Sequence, residues 1–387
     1  MINMRTERRN QGIRRQWNDL EGEEDRVHRS HHNSKAPPKL LGYNFSEKQV
    51  KNASEKGTLL AMRLETSAIC NLKCLYCNGL TGKSHPMEIS LRTMKRVISE
   101  VKSLGGKSVV VIGGGEPTLF PHFKSLIKYI TQEGMIPVVI TNATKLSLDM
   151  VKFLYEENAS ILFKMDSLKE SVQDYLSGTK GSYKLIMKGM EHLFFIGFNK
   201  NHGDFLRCGA SFVVTQSNYS EIPELWKFCR DNNLYPNFEQ FIPRHRGLGR
   251  INEFWVDKKT IHALKQTLLE GDRAIYGYDW MVHTPLPGHG CLQHRYSVYI
   301  TSMGYIQPCA DVATGFFNVK DMSISKALQT PFFQVVRNIE KHLRGKCSQC
   351  EYHLLCVGCR GLAFSIGREE GLDVDQALCR EDPLCCK

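Results

Sequence analysis

At 387 residues the chain is long enough for a barrel-sized domain plus an extension, and 51 basic against 40 acidic residues give it a formal net charge of +11. The positive charge is scattered, with no basic stripe interleaved with aromatics, and no run reaches the roughly 18 apolar residues of a membrane span, so neither nucleic acid nor membrane is expected as a partner. The N-terminal region has no apolar run or cleavage signal, so the fourteen cysteines read as ligands in a reducing cytoplasm rather than as secreted disulfides.

Residues 1–50 read as a flexible polar arm. Arg8, Arg9, Arg14 and Arg15 precede an acidic patch from Glu21 to Asp25, then His28, His31, His32 and Pro37-Pro38. The segment Leu59–Thr66 alternates partly between apolar and polar residues and reads as a first strand. The run Cys70-x-x-x-Cys74-x-x-Cys77 follows, with Tyr76 just before the third thiol, and Ile89–Leu104 reads as a helix. Three thiolates on one short loop can hold three irons of a four-iron cluster, leaving the fourth iron without a protein ligand. Zinc competes for such cysteines, but structural zinc sites favour CxxC pairs and four protein ligands.

Ser108–Ile112 is a second, buried-type strand, followed by Gly113-Gly114-Gly115-Glu116-Pro117-Thr118-Leu119. Glycines let a backbone approach a ligand closely, and Glu116 can pair with an ammonium, although the same string also suits an ordinary turn. Further strands are expected at Pro137–Ile140, Ser160–Met165, Leu206–Thr215 and Asn237–Ile242, separated by helices at Phe123–Glu133, Leu146–Glu157, Tyr183–Phe195 and Ile222–Asn232. This alternation predicts a parallel sheet with right-handed crossovers. Asn142 and Ser167 stand at strand ends, where they can bind a ligand or cap the next helix. Cys229 reads as a core residue, and Cys208, in the fifth strand, is a candidate hydrogen donor if it faces the cavity. Arg244-His245-Arg246 and Arg250 follow the sixth strand, placed to meet an anionic substrate or to form a solvated loop.

The last third holds Cys291, Gly304 and Cys309, then Cys347-x-x-Cys350 and Cys356-x-x-Cys359, then Cys379, Cys385 and Cys386. Thr330–Gly345 reads as a helix between the two groups. A zinc ribbon is the competing reading of the CxxC pairs.

The cysteine loop, the GGGEP segment and the strand-end residues together resemble the radical SAM superfamily, and the late cysteines resemble its SPASM subfamily. The resemblance implies an α/β fold, a partial (β/α)6 TIM-like barrel at 51–280 with a cysteine-rich SPASM extension at 281–387. It implies three 4Fe-4S clusters and S-adenosyl-L-methionine (SAM). Cys70, Cys74 and Cys77 would hold the SAM-binding cluster, and Gly114, Gly115, Glu116, Asn142 and Ser167 would hold SAM. Cys291, Cys309 and Cys359 would hold a first auxiliary cluster, completed by an open iron or by a residue such as His294, since 292–298 contains no cysteine. Cys347, Cys350, Cys356 and a late thiol, Cys385 or alternatively Cys379, would hold a second. Asp311 is a candidate proton acceptor, with Glu239 and Asp166 the next acids. The expected activity is that of a cytoplasmic oxidoreductase: reductive SAM cleavage, then hydrogen abstraction from a substrate carbon. A reducing partner such as flavodoxin or ferredoxin is implied. The polar arm is too short for the leader-binding module of many peptide-modifying members. The expected substrate is therefore a small polar metabolite such as an amino sugar or aminocyclitol, with a peptide undergoing side-chain oxidation or crosslinking as the alternative.

Overall fold

The computed structural model describes residues 35–79, 81–200, 205–280, 291–353 and 356–385. The arginines, acidic patch and histidines of the N-terminal arm lie outside the described residues, as does Cys386.

The strands are β1 (Lys39–Leu40), β2 (Ala61–Glu65), β3 (Ser108–Ile112), β4 (Ile136–Thr141), β5 (Ser160–Lys164), β6 (Phe205–Leu206), β7 (Cys208–Val214), β8 (Tyr235–Gln240), β9 (Ser297–Ile300) and β10 (Ile306–Gln307). Eight of them form one sheet in the order β10-β9-β2-β3-β4-β5-β7-β8, and β1 pairs separately with β6. All neighbours from β9 to β8 are parallel; β10 returns antiparallel along β9. The six expected strands are therefore present, and β9 adds a further parallel neighbour to β2. It comes from the segment expected to lie in the extension, and its four buried residues are too few to display an alternating pattern.

Pleating sorts the side chains into two layers. Val109, Val111, Val139, Ile161 and Phe163 pack outward with helix residues such as Met94, Ile98, Leu126 and Val151. Val110, Val138, Ile140 and Leu162 face the other way, into the barrel. This parity corrects the expectation for Cys208. It shares its face with Ala210, Phe212 and Val214 in the outer apolar layer, fully buried, while Val213 faces the cavity. Burial raises the Cys208 thiol well above its usual range, as it does that of Cys229 in the same layer.

The inner layer is completed from an unexpected place. Leu40, Leu41 and Tyr43 are buried against Val110, Ile136, Val138, Ile140, Leu162, Leu206 and Tyr235. Residues 39–45, expected to belong to a flexible arm, thus plug the barrel, and Ser46 caps a helix at Glu47–Glu55 through a capping box. The plug has too few apolar residues to rise above its polar surroundings in the sequence. The helix expected over 330–345 is shorter: it runs from Pro331 to Arg337 and breaks at Asn338, whose φ of −119° and ψ of 34° leave the helical region. No helix among the described residues is long and apolar enough to cross a membrane.

Candidate functional site

The cysteine loop begins where β2 ends, at the C-terminal edge of the parallel strands, where barrels gather their chemistry. Every part of the loop is tied down. Glu88 accepts from Ala68 N at 2.8 Å and from Ser67 Oγ at 3.0 Å. Lys73 N and Leu75 N donate to Ser177 O and Leu176 O at 3.1 and 2.9 Å, at the end of the helix Glu170–Ser177. Gly178 closes that helix at φ +60°, where a Cβ would stand 2.3 Å from Lys73 O. Arg246 Nη1 donates to Cys74 O at 2.9 Å. Tyr76 donates to Asp166, whose other oxygen accepts from Val213 N at 2.8 Å. The aromatic before the third thiol therefore anchors the loop to β5 and β7.

The GGGE segment lies directly against this loop. Gly115 N donates to Ser67 O at 2.8 Å and Glu116 N to Ile69 O at 2.7 Å. A Cβ at Gly115 would lie 2.0 Å from Ile69 O, so only glycine permits the approach. Glu116 is buried and accepts four bonds: Thr118 N at 3.1 Å, Thr118 Oγ1 at 2.6 Å, Thr141 Oγ1 at 2.6 Å and Asn142 N at 2.7 Å. Both oxygens are thus engaged by the protein itself, and the side chain ties the end of β3 to the end of β4. Burial pushes its carboxyl above the ordinary range, against the pull of these donors. Asn142 lines the cavity and its amide donates to Asn71 Oδ1 at 3.0 Å, beside Cys70. Ser167 is not brought to the cavity. Its hydroxyl is fully buried, donates to Glu221 at 2.7 Å and accepts from Lys169 N at 3.0 Å, a two-residue turn ahead of the helix Glu170–Ser177, which no side chain caps.

Cys70, Cys74 and Cys77 line a cavity of about 400 Å³ together with Gly113–Glu116, and Cys291, Cys309 and Cys359 line it as well. The latter three interact electrostatically with one another. The N- and C-terminal cysteine groups, far apart in sequence, thus open into one space. Asp311 also lines it, with 13 % of its side chain exposed, and its Oδ1 accepts from Asn78 Nδ2 at 2.7 Å and lies 3.5 Å from Arg244 Nη1. Burial raises its carboxyl, while Arg244 and Asn78 pull it down. Lys164 stands 3.8 Å from both Asp166 and Glu239 across the same cavity. The basic stretch after β8 is not a free landing place for anions. Arg244 serves Ala310 O and Asp311, Arg246 serves the cysteine loop, and Arg250 pairs with Glu253.

Cys347 and Cys385 share a hydrogen bond that lowers the Cys347 thiol to about 7. Cys379 instead ends the helix Val374–Cys379 inside an apolar cluster with Val312, Val336 and Leu378, and burial raises its thiol. Asp382 links the two late groups: Oδ2 accepts from Cys359 N at 2.7 Å, and its own carbonyl accepts from Cys385 N at 3.0 Å. His294, in the short helix Gln293–Tyr296, lines the cavity at 6 % exposure, and its Nε2 is buried without a partner. Burial, with Arg295, Arg360 and Arg337 around it, lowers the imidazole to about 3.

Several of these anchors escape sequence reasoning. Glu88, Asp166 and Arg246 act at a distance on a loop whose own residues carry the motif. Only Tyr76, adjacent to a thiol, gave a local signal. The donor set fits iron–sulfur groups: three thiols on a braced loop beside a glycine cradle, and three more across the cavity. Among the described residues no group of three or more His, Cys, Asp or Glu is drawn together as for a single metal ion.

Comparison with known proteins agrees with this geometry. The radical SAM superfamily matches residues 64–229, and an iron–sulfur cluster-binding domain, SPASM, matches 291–351. The chain is similar to an AdoMet-dependent heme synthase of Methanosarcina barkeri, 25% identical over 78% of this chain and 91% of that one. It is also similar to the mycofactocin maturase MftC of Mycobacterium tuberculosis, 25% identical over 80% of each. In structure it resembles Streptococcus suis SuiB bound to S-adenosylmethionine, with a TM-score of 0.65 and 18% identity over 87% of this chain and 80% of that one. The expectation of an amino-sugar or aminocyclitol substrate finds no support in these relatives. The chain belongs to the radical SAM superfamily and to its SPASM subfamily.

Proposed function

We propose that this enzyme oxidises or crosslinks a peptide side chain, after hydrogen abstraction at a carbon held between the two cysteine groups of the cavity. The observation that carries the reading is the single cavity lined by Cys70, Cys74 and Cys77 on one side and by Cys291, Cys309, Cys359 and Asp311 on the other. In this reading Cys70, Cys74 and Cys77 hold three irons of the core cluster, and the backbone of Gly114 and Gly115, with Asn142, receives SAM. Cys291, Cys309 and Cys359 hold a first auxiliary cluster, and Cys347, Cys350, Cys356 and Cys385 a second. When bound, these groups supply a 5′-deoxyadenosyl radical for hydrogen abstraction and electron-accepting centres beside the substrate.

The chain's own part is positioning and proton transfer. Asp311 Oδ2 takes the substrate proton, because Oδ1 is held by Asn78 and Arg244. Lys164, between Asp166 and Glu239, fixes the charge of the opposite wall. The plug at residues 39–45 closes the barrel beneath the site, so that water is kept from the reacting carbon. Residues 51–280 act as the core and 281–387 as the extension, in a cytoplasmic enzyme served by an electron donor such as flavodoxin or ferredoxin. The peptide class is supported by the likeness to SuiB, whose structure is known bound to the precursor peptide SuiA.

The test uses extract from host cells grown on deuterated medium, separated into peptide and small-metabolite fractions. Reconstituted enzyme with SAM and a reductant should move deuterium into 5′-deoxyadenosine from the peptide fraction, and protease treatment of that fraction should abolish the transfer. Transfer from the small-metabolite fraction alone would refute the peptide reading.

A further inference from the structure

We infer that His294 Nε2 is the fourth protein ligand of the auxiliary cluster held by Cys291, Cys309 and Cys359. The inference rests on the reading that these three thiols hold such a cluster. They share one cavity with His294, and residues 292–298 offer no fourth cysteine. A buried side-chain nitrogen without a partner is costly, by about 1–3 kcal/mol, so it calls for an explanation. His294 Nε2 is such an atom: the residue is 6 % exposed, and Nε2 has no hydrogen-bond partner.

The other ring nitrogen explains the orientation. The imidazole bonds to the backbone of Cys291, one turn earlier in the same segment. Imidazole ligands are commonly held in this way, with one nitrogen donating to a carbonyl and the other presenting its lone pair to the metal. The surroundings also suit an anionic cluster. Arg295, Arg337 and Arg360 act electrostatically on the ring, and Arg360 Nε and Nη2 are themselves buried without partners on the cavity wall. Those two donors are placed to meet cluster sulfur, since hydrogen bonds to sulfur are one means of tuning such centres. A histidine in place of a thiolate leaves the cluster one negative charge poorer and raises its reduction potential.

The test uses the full-length, anaerobically reconstituted protein without SAM, with its histidines labelled with nitrogen-15. Pulsed electron paramagnetic resonance of the reduced protein should reveal nitrogen coupling that follows the label and is lost in His294→Ala. In His294→Cys the cluster should remain, the coupling should vanish, and the potential of that centre should fall. Cys309→Ala should lose iron, which establishes the cluster independently of its fourth ligand. A coupling that survives in His294→Ala, or is absent from wild type while Cys309→Ala still loses iron, overturns the histidine assignment alone. Iron content unchanged in Cys309→Ala, or stoichiometric zinc in place of iron, overturns both the assignment and the auxiliary-cluster reading.

Discussion

Replacing Glu116 by glutamine separates a structural tie from a pure ligand contact. In the native protein Glu116 accepts from Thr118 N, Thr118 Oγ1 and Thr141 Oγ1 on one oxygen and from Asn142 N on the other. A glutamine can keep the first three on its carbonyl, but its NH₂ then faces the Asn142 N–H, donor against donor. One charge-assisted bond is lost, about 1.5–3 kcal/mol, and one buried N–H is left unsatisfied, about 1–3 kcal/mol. Relief of the buried charge offsets part of this, so a net loss of about 2–4 kcal/mol is expected, a large share of an ordinary ~5–15 kcal/mol stability. The assay is denaturant unfolding of the cluster-free protein, where no SAM is present. The native carboxyl is raised by burial, so the native state holds the extra proton in the window between its own and the unfolded value. Wild-type protein should therefore gain stability as pH falls through that window, and Glu116→Gln should not. Thr141→Val should couple to Glu116→Gln in a double-mutant cycle. An unfolding free energy within about 0.5 kcal/mol of wild type would refute the tie and leave Glu116 to SAM alone.

Gly115→Ala should be more damaging than its size suggests, by about 1–3 kcal/mol or more, because its Cβ meets Ile69 O at 2.0 Å; retained iron and SAM binding in that variant would contradict the packing described. Asp166→Asn should weaken iron retention at the core site while sparing the late cysteines, with Tyr76→Phe milder in the same direction; iron analysis in a Cys291→Ala, Cys347→Ala background reads the core alone. Cys385→Ala should lose about four irons, whereas Cys379→Ala should keep them and lose only core packing, so equal iron in both variants would sink the Cys385 assignment. Asp311→Asn should still cleave SAM and still carry substrate hydrogen into 5′-deoxyadenosine while forming little product; full product yield would exclude it as the proton acceptor.

The sheet was legible because its strands alternate with helical patterns and the first ones lead into turn motifs. β9 was not, because its four buried residues stand outside that alternation. The cysteine loop and the GGGE segment announced themselves through residue type and spacing. The bracing around them did not: Glu88, Asp166 and Arg246 are ordinary residues whose role exists only once the chain has brought them within hydrogen-bond reach. Ser167 and Cys208 mark the opposite limit. Both stand where a motif or a strand suggested a cavity position, yet a buried bond to Glu221 and the two-residue alternation of the strand turn them away. The basic cluster after β8 stayed open between an anion contact and a solvated loop for a related reason, since charge in a sequence does not disclose an intramolecular partner.

The β1–β6 pairing has a consequence for how the molecule is made. Lys39 and Leu40 lie beside Phe205 and Leu206, partners that leave the ribosome long after them. The stopper of the barrel is thus synthesised first and seated late, once most of the strands it closes have been made. Joining such distant segments carries a loop-closure cost that local helix contacts do not. Until then Leu40, Leu41 and Tyr43 have no inner layer to rest on, and the half-built barrel exposes its apolar floor.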